Sequence, residues 1–124
     1  MNNIGIGVDI ENTAQFKKRR EKQDPFWQRI FTPKEVEYCF SKKNPAPHLA
    51  ARYAGKEAVI KALSNLNKID LNYTDYKNIE IFNEKNGMPC VKLNGLNSKD
   101  LIINISLSHC EDKALAFVII LKKV

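Results

Sequence analysis

The stretch that most constrains this chain is Arg52-Tyr53-Ala54-Gly55-Lys56-Glu57-Ala58-Val59-Ile60-Lys61-Ala62-Leu63. At about 100° per residue, Leu49, Ala50, Tyr53, Ala54, Glu57, Ala58, Ile60 and Lys61 share one half of a helix, and Arg52, Lys56 and Val59 lie on the other. Glu57 therefore falls inside the apolar stripe, flanked by Tyr53 and alanines. A carboxylate there is costly to bury alone, so a cation should face it. Lys61, one turn on along the same row, is the local candidate. Such a pair is either an ordinary i, i+4 ion pair on a half-exposed helix or part of a site, and the rest of the chain has to decide.

With 124 residues, 44% of them hydrophobic and 27% charged, residues 1–124 are expected to form one globular domain. The 20 Lys and Arg against 14 Asp and Glu leave a net charge of +6, which favours an acidic partner: nucleic acid, an anionic membrane, a phosphorylated small molecule or an acidic protein. Cys39, Cys90 and Cys110 are far apart and form no CxxC, an odd set that suits reduced thiols in a cytosol. The N-terminus has no basic region followed by a long apolar run. The longest apolar run, Ala114 to Leu121, is too short to span a bilayer. A cytoplasmic protein without a membrane partner is expected.

In Ile4-Gly5-Ile6-Gly7-Val8-Asp9-Ile10-Glu11, apolar residues alternate with Gly5, Gly7, Asp9 and Glu11, the period of a strand. The glycines clear one face for the close approach of another backbone or a ligand. Asp9 and Glu11 stand on that same face. Paired carboxylates there suit a hard cation such as Mg2+, which takes oxygen ligands and phosphates; a solvated strand end is the alternative. Residues from Thr13 to Lys22 read as a helix capped by Asn12 or Thr13, with a basic run, Lys17 to Lys22, that creates a field for an acidic partner. Asp24-Pro25 opens a short helix with Phe26, Trp27 and Ile30. Thr32-Pro33-Lys34-Glu35 opens another through a capping box. Asn44-Pro45-Ala46-Pro47 breaks that helix, and Pro47 begins the long one.

Beyond Leu63 the pattern turns to strands. Ile79 to Phe82 and Met88 to Leu93 flank Asn83-Glu84-Lys85-Asn86-Gly87, whose Asn-Gly supplies the positive φ of a hairpin. Leu101 to His109 and Ala114 to Leu121 form two more strands around Glu111-Asp112-Lys113. The class is α+β, a single domain with an N-terminal strand and helices packed on a mainly antiparallel sheet. On the third of these strands Ile105 and Leu107 alternate with Ser106 and Ser108, and His109 closes it. Hydroxyls and an imidazole at a strand end can hold phosphate oxygens. Adjacent Ser108 and His109 point to opposite faces, which argues against a hydrolytic triad.

Gly7-Val8-Asp9-Ile10-Glu11, Lys56-Glu57-Ala58-Val59-Ile60-Lys61-Ala62 and Ser106-Leu107-Ser108-His109, in that order and spacing, resemble the phosphopantetheinyl transferases, specifically the short holo-[acyl-carrier-protein] synthase type. The resemblance covers essentially the whole chain. It implies transfer of 4'-phosphopantetheine from coenzyme A to a serine of an acidic acyl carrier protein, with Mg2+ required and adenosine 3',5'-bisphosphate released. It also implies a homotrimer with active sites between subunits. Asp9 and Glu57 match the magnesium ligands, and Glu11 matches a third acid found in the longer, surfactin-type members. Lys61 matches the lysine that holds the phosphates. Ser108 and His109 match a phosphate-contacting motif from the neighbouring subunit, and Lys17, Lys18, Arg19, Arg20 and Arg29 fall where the carrier docks. The family's glycine-rich turn after this helix is replaced by Ser64-Asn65-Leu66-Asn67, so adenine contacts are left unassigned.

Attack of a serine hydroxyl on a pyrophosphate depends on positioning and charge neutralisation, which a cation and Lys61 supply. Glu57, directly or through a water it orients, is favoured over His109 as the proton acceptor. Two other readings compete. A basic nucleic-acid-binding module accounts for the net charge but leaves Asp9, Glu11 and Glu57 without a purpose, since carboxylates repel a phosphate backbone. A metal-dependent coenzyme A or nucleotide pyrophosphatase would use the same carboxylates.

Overall fold

The computed structural model describes residues 2–19 and 21–124. Strand β1 (Ile4–Asn12) leads into three short helices, α1 (Ala14–Lys17), α2 (Pro25–Gln28) and α3 (Pro33–Phe40), and then into the long α4 (Pro45–Asn65). A 3-10 turn (Tyr76–Asn78) precedes four strands, β2 (Ile79–Asn83), β3 (Pro89–Leu93), β4 (Leu101–His109) and β5 (Lys113–Lys122). Helices thus fill the first half and antiparallel strands the second, the α+β arrangement expected from the pattern.

Helix α4 buries 13 of its 21 residues, because it is covered on more than one side. The antiparallel sheet β1-β5-β4 lies against one flank, and α3 with the β2–β3 hairpin lies against another. This corrects the expected division of the helix: Lys56 and Arg52, placed by periodicity on the polar half, are buried. The Lys56 ammonium donates to Glu35 Oε1 at 2.8 Å and to the carbonyls of Tyr76 at 2.9 Å and Ile79 at 2.5 Å. Arg52 lies 4.0 Å over the Tyr38 ring and donates to Asn83 Oδ1 at 2.6 Å. Lys56 is thus compensated in full and Arg52 in part, where periodicity offers no hint of a partner.

The helix begins two residues earlier than expected, at Pro45 with Asn44 as N-cap. Pro47 is tolerated because the first backbone N–H groups of a helix have no internal acceptor to lose. At the far end Lys68 N donates to Leu63 O and Asn67 N to Ser64 O, both at 3.0 Å, with Asn67 at φ 55. These are the two bonds of a Schellman motif. Asn67 therefore occupies the left-handed position that glycine usually fills.

Strand β1 pairs with β5 so that Gly5 faces Ile120 and Gly7 faces Val118. Both glycines are buried against α4. A Cβ at Gly5 would overlap the carbonyl oxygen of Ala62, and one at Gly7 that of Ala58. The bare face of the strand thus admits a backbone, the helix itself. Its other face, Ile4, Ile6, Val8 and Ile10, is 51, 56, 52 and 57% exposed.

Other elements follow their local signals. Asp24 caps α2 through Phe26 N, the Thr32–Glu35 capping box closes α3, and Gly87 takes a φ of 86 in the hairpin. The helix expected from Thr13 to Lys22 stops at Lys17. No apolar side chain follows Phe16 to bury, and like charges one turn apart repel. Cys39 is buried, and no cysteine pairs in a disulfide among the described residues. Among those residues no helix is long and apolar enough to cross a membrane.

Candidate active site

The close approach of α4 to β1 brings the acidic end of the strand against the middle of the helix. Lys61 reaches over, and its Nζ donates to the Val8 carbonyl at 2.9 Å and to Asp9 Oδ1 at 3.3 Å. The expected pairing of Lys61 with Glu57 is accordingly corrected. The strand edge offers the ammonium a carbonyl that the sheet leaves unused together with a carboxylate, and these two acceptors draw it across.

Glu57 lies one turn before Lys61 and is half-buried. The charges of Glu57, Glu11 and Asp9 are all felt at the Tyr53 hydroxyl, which burial first of all holds above its ordinary range. Glu11 is pushed up to about 7, mainly by burial and then by the carboxylate of Asp9 beside it, with Glu57 adding to the effect. Gln15 Nε2 opposes this by donating to Glu11 Oε1 at 2.9 Å. The four residues Asp9, Glu11, Glu57 and Lys61 are thus gathered at one place. Beside them a cleft of about 170 Å³ is lined by Glu11, Gln15, Phe16, Phe26, Ile30 and Tyr53.

A divalent cation fits this place for a local reason. Asp9 Oδ2 is buried without a hydrogen-bond partner, and burial together with the Asp9 carboxylate beside it raises the Glu11 pKa, so negative charge is poorly compensated there. Oxygen-only donors favour Mg2+ over softer metals. Among the described residues no three His, Cys, Asp or Glu side chains converge into a ready ligand set. The protein would therefore supply a pair of carboxylates, leaving the remaining positions to water and phosphate oxygens, the usual division for Mg2+. Asp9 and Glu57 would be the carboxylates left for such a pair, since Glu11 is engaged by Gln15.

Ser108 and His109 lie elsewhere and on opposite faces of β4. Ser108 is paired with Leu115 on the exposed face. The His109 ring is 5.6 Å from that of His48, near the start of α4. Nine residues of helix separate His48 from Glu57, roughly 13 Å. Within one chain, then, His109 does not join the carboxylates. His48, in contact with Tyr38 as well, is held below its ordinary pKa by burial and then by His109, Arg52 and Lys42. Arg52 Nε is buried there without a partner.

The basic cluster is divided. Lys17 ends α1 and Lys18 is exposed, whereas Arg19 is tied to Asp24 at 3.1 Å and stacks 4.4 Å over Phe26. Arg29 is exposed just after α2, and Arg20 lies outside the described residues. Two further residues, Tyr53 and Tyr76, stand beside the site with their rings 5.6 Å apart. Tyr53 shares the helical row of Glu57, a signal periodicity does offer, but Tyr76 arrives from an irregular segment with no pattern to reveal it.

Comparison with known proteins identifies the family to which this fold belongs. Residues 5–118 match the model of the 4'-phosphopantetheinyl transferase superfamily. The chain is 48% identical over 117 residues to the holo-[acyl-carrier-protein] synthase of Thermodesulfovibrio yellowstonii, covering 94% of this chain and 96% of that one. Among solved structures, a holo-(acyl-carrier-protein) synthase from Bacillus anthracis in complex with CoA (3',5'-ADP) is 30% identical. It superposes with a TM-score of 0.74 over 97% of this chain and 96% of that one. The fold is also that of the Chronobacterium ammoniagenes ACPS-CoA complex, with a TM-score of 0.82 at 24% identity over 99% and 100% of the two chains.

Proposed function

The chain belongs to the 4'-phosphopantetheinyl transferase superfamily, and on that premise we propose that it moves 4'-phosphopantetheine from coenzyme A to a serine of an acidic apo acyl carrier protein, releasing adenosine 3',5'-bisphosphate. The observation that carries this reading is the convergence of Asp9, Glu57 and Lys61 at the seam between β1 and α4, with Asp9 Oδ2 unpartnered. Asp9 and Glu57 would hold Mg2+, which supplies charge neutralisation on the diphosphate. Lys61 already spans Val8 and Asp9, which supports its ammonium as the group that would steady negative charge developing on a phosphate held beside Asp9. Glu57, directly or through a water it orients, accepts the proton of the attacking serine. Lys17, Lys18, Arg19 and Arg29, together with Arg20 of the same basic run, would offer positive charge to the carrier.

Ser108 and His109 serve the site of a neighbouring copy in a homotrimer. Support comes from the sheet face on which Ser108 lies. Ile4, Ile6, Val8 and Ile10 on β1 register with Leu121, Ile119, Phe117 and Leu115 on β5, forming a continuous, largely exposed apolar surface. A second copy of this chain is the occupant that would cover it. The enzyme acts in the cytoplasm, with residues 1–124 as one catalytic unit.

Incubation with coenzyme A, Mg2+ and an apo carrier protein tests the reading. A transferase adds the phosphopantetheine mass to the carrier. Coenzyme A cleavage without that addition would mean a pyrophosphatase, and neither change together with salt-sensitive DNA or RNA binding would mean a nucleic-acid module.

A further inference from the structure

The contact between Lys61 and Asp9 is unequal. The lysine side chain is 44% exposed and that of Asp9 only 13%. Asp9 Oδ1 receives the ammonium at 3.3 Å, while Oδ2 is buried with no partner. Among the described residues no other cation pairs with this carboxylate. Lys61 is therefore the countercharge of a nearly buried acid, supplied by a long side chain that is itself half in water.

That contact is not what joins β1 to α4. Gly5 and Gly7 already bring the strand against the carbonyl oxygens of Ala62 and Ala58. One turn beyond Lys61, Asn65 Oδ1 accepts from the Ile6 N–H at 3.2 Å and ties the strand edge to the helix independently. The strand thus stays in place if the Lys61 ammonium leaves, and an ion pair with one exposed partner is given up at small cost.

We infer that Lys61 is a placeholder at Asp9, competing there with a divalent cation and giving way to it when a phosphate group is present to receive the ammonium. The inference rests on the reading of Asp9 as a Mg2+ ligand and deepens it. An ammonium on one carboxylate oxygen lies only a few ångströms from any ion on the other, and like charges that close repel strongly where burial lowers the effective dielectric. Lys61 must leave Asp9 or the ion binds poorly. A phosphate held beside Asp9 offers the displaced ammonium a new anion. Metal and phosphate then favour one another through this side chain, and metal alone is disfavoured.

The test is Lys61→Met, which keeps the stem, removes the charge and alters an exposed position. Mn2+ binding to the protein without coenzyme A, followed through the electron paramagnetic resonance signal of the free ion, should tighten about tenfold, within the range of coupled sites. Mg2+ alone should also raise the Tm of Lys61→Met above its value in EDTA by more than it does for the wild type. Lys61→Arg, which keeps the charge, should show neither gain. The inference is overturned if Lys61→Met binds Mn2+ no more tightly than the wild type while Asp9→Asn loses the ion. It is equally overturned if Lys61→Arg gains as much as Lys61→Met, which would trace the effect to side-chain shape instead of charge. If wild type and Asp9→Asn bind Mn2+ alike, the metal reading fails first and takes this inference with it.

Discussion

Lys56 Nζ lies 2.8 Å from Glu35 Oε1 with both side chains sealed from water, and the same glutamate accepts from the backbone N–H of Thr32 and of Ile81. One carboxylate thus joins the start of α3, the middle of α4 and strand β2. Removing either partner leaves a buried charge alone, so Lys56→Met or Glu35→Gln should each cost about 3–5 kcal/mol in urea unfolding. A loss below about 1 kcal/mol, the scale of an exposed pair, would count against that role.

The carboxylates should separate by their effect on Mg2+. Glu57→Ala is expected to abolish transfer while the fold persists, because it removes a metal ligand and relieves a half-buried charge. Asp9→Asn should be nearly as severe. Glu11→Gln should raise the Mg2+ requirement only modestly, since Glu11 is already engaged by Gln15. A steady-state Mg2+ titration of the three variants is the measurement; near wild-type rates for Glu57→Ala at saturating Mg2+ would sink the ligand assignment.

Glu11 also predicts a pH dependence in the absence of metal. Its pKa is raised from 4.5 to about 7 in the folded chain, so between those values the native state binds more protons than the unfolded one. Stability from this group is full below about 4.5 and is lost as pH rises through 7. In EDTA the wild type should therefore lose Tm across that window, and Glu11→Gln should flatten the slope. Added Mg2+ should flatten it too, because a nearby cation favours the ionised form.

The apolar sheet face should report on assembly. Val8 registers with Phe117, and both are exposed. Replacing both with glutamate should leave the inward face intact and produce monomers by light scattering, with transfer lost because Ser108 and His109 no longer reach a neighbour. A wild-type chain that is monomeric at assay concentrations would remove the trimer from the proposal.

The basic cluster should act on one substrate only. Neutralising Lys17, Lys18 and Arg29 is expected to raise KM for the carrier and leave KM for coenzyme A unchanged. Added salt should weaken carrier use more in the wild type than in the variant. Arg19→Gln should instead lower Tm, because Arg19 braces Asp24 and Phe26. Parallel loss of coenzyme A binding on neutralising the cluster would place it on the nucleotide.

Much of the fold was written locally. The Thr32–Glu35 capping box, the Asp24-Pro25 start of α2, the turn at Gly87 and the alternation of β4 each depend on neighbours within a few residues, and each formed as its pattern requires. The carboxylates could be singled out for the same reason. Asp9 and Glu11 share a strand face, and Glu57 interrupts an apolar stripe, facts that periodicity alone exposes.

Where those carboxylates would find their partners was decided only by tertiary packing. Lys61 has Glu57 one turn away, yet it bonds across to Val8 and Asp9, because Gly5 and Gly7 let β1 come within its reach. Lys56 and Arg52 look solvated on a helical wheel and are buried, because α3 and the β2–β3 hairpin close over that side. Tyr76 packs on Tyr53 from a segment without periodicity. The sequence determined which groups carry charge and which face of its own element each occupies, since those follow from the geometry of a single strand or helix. Which charge meets which depends on distances between elements, and those are set by the packing of side chains far apart in the chain.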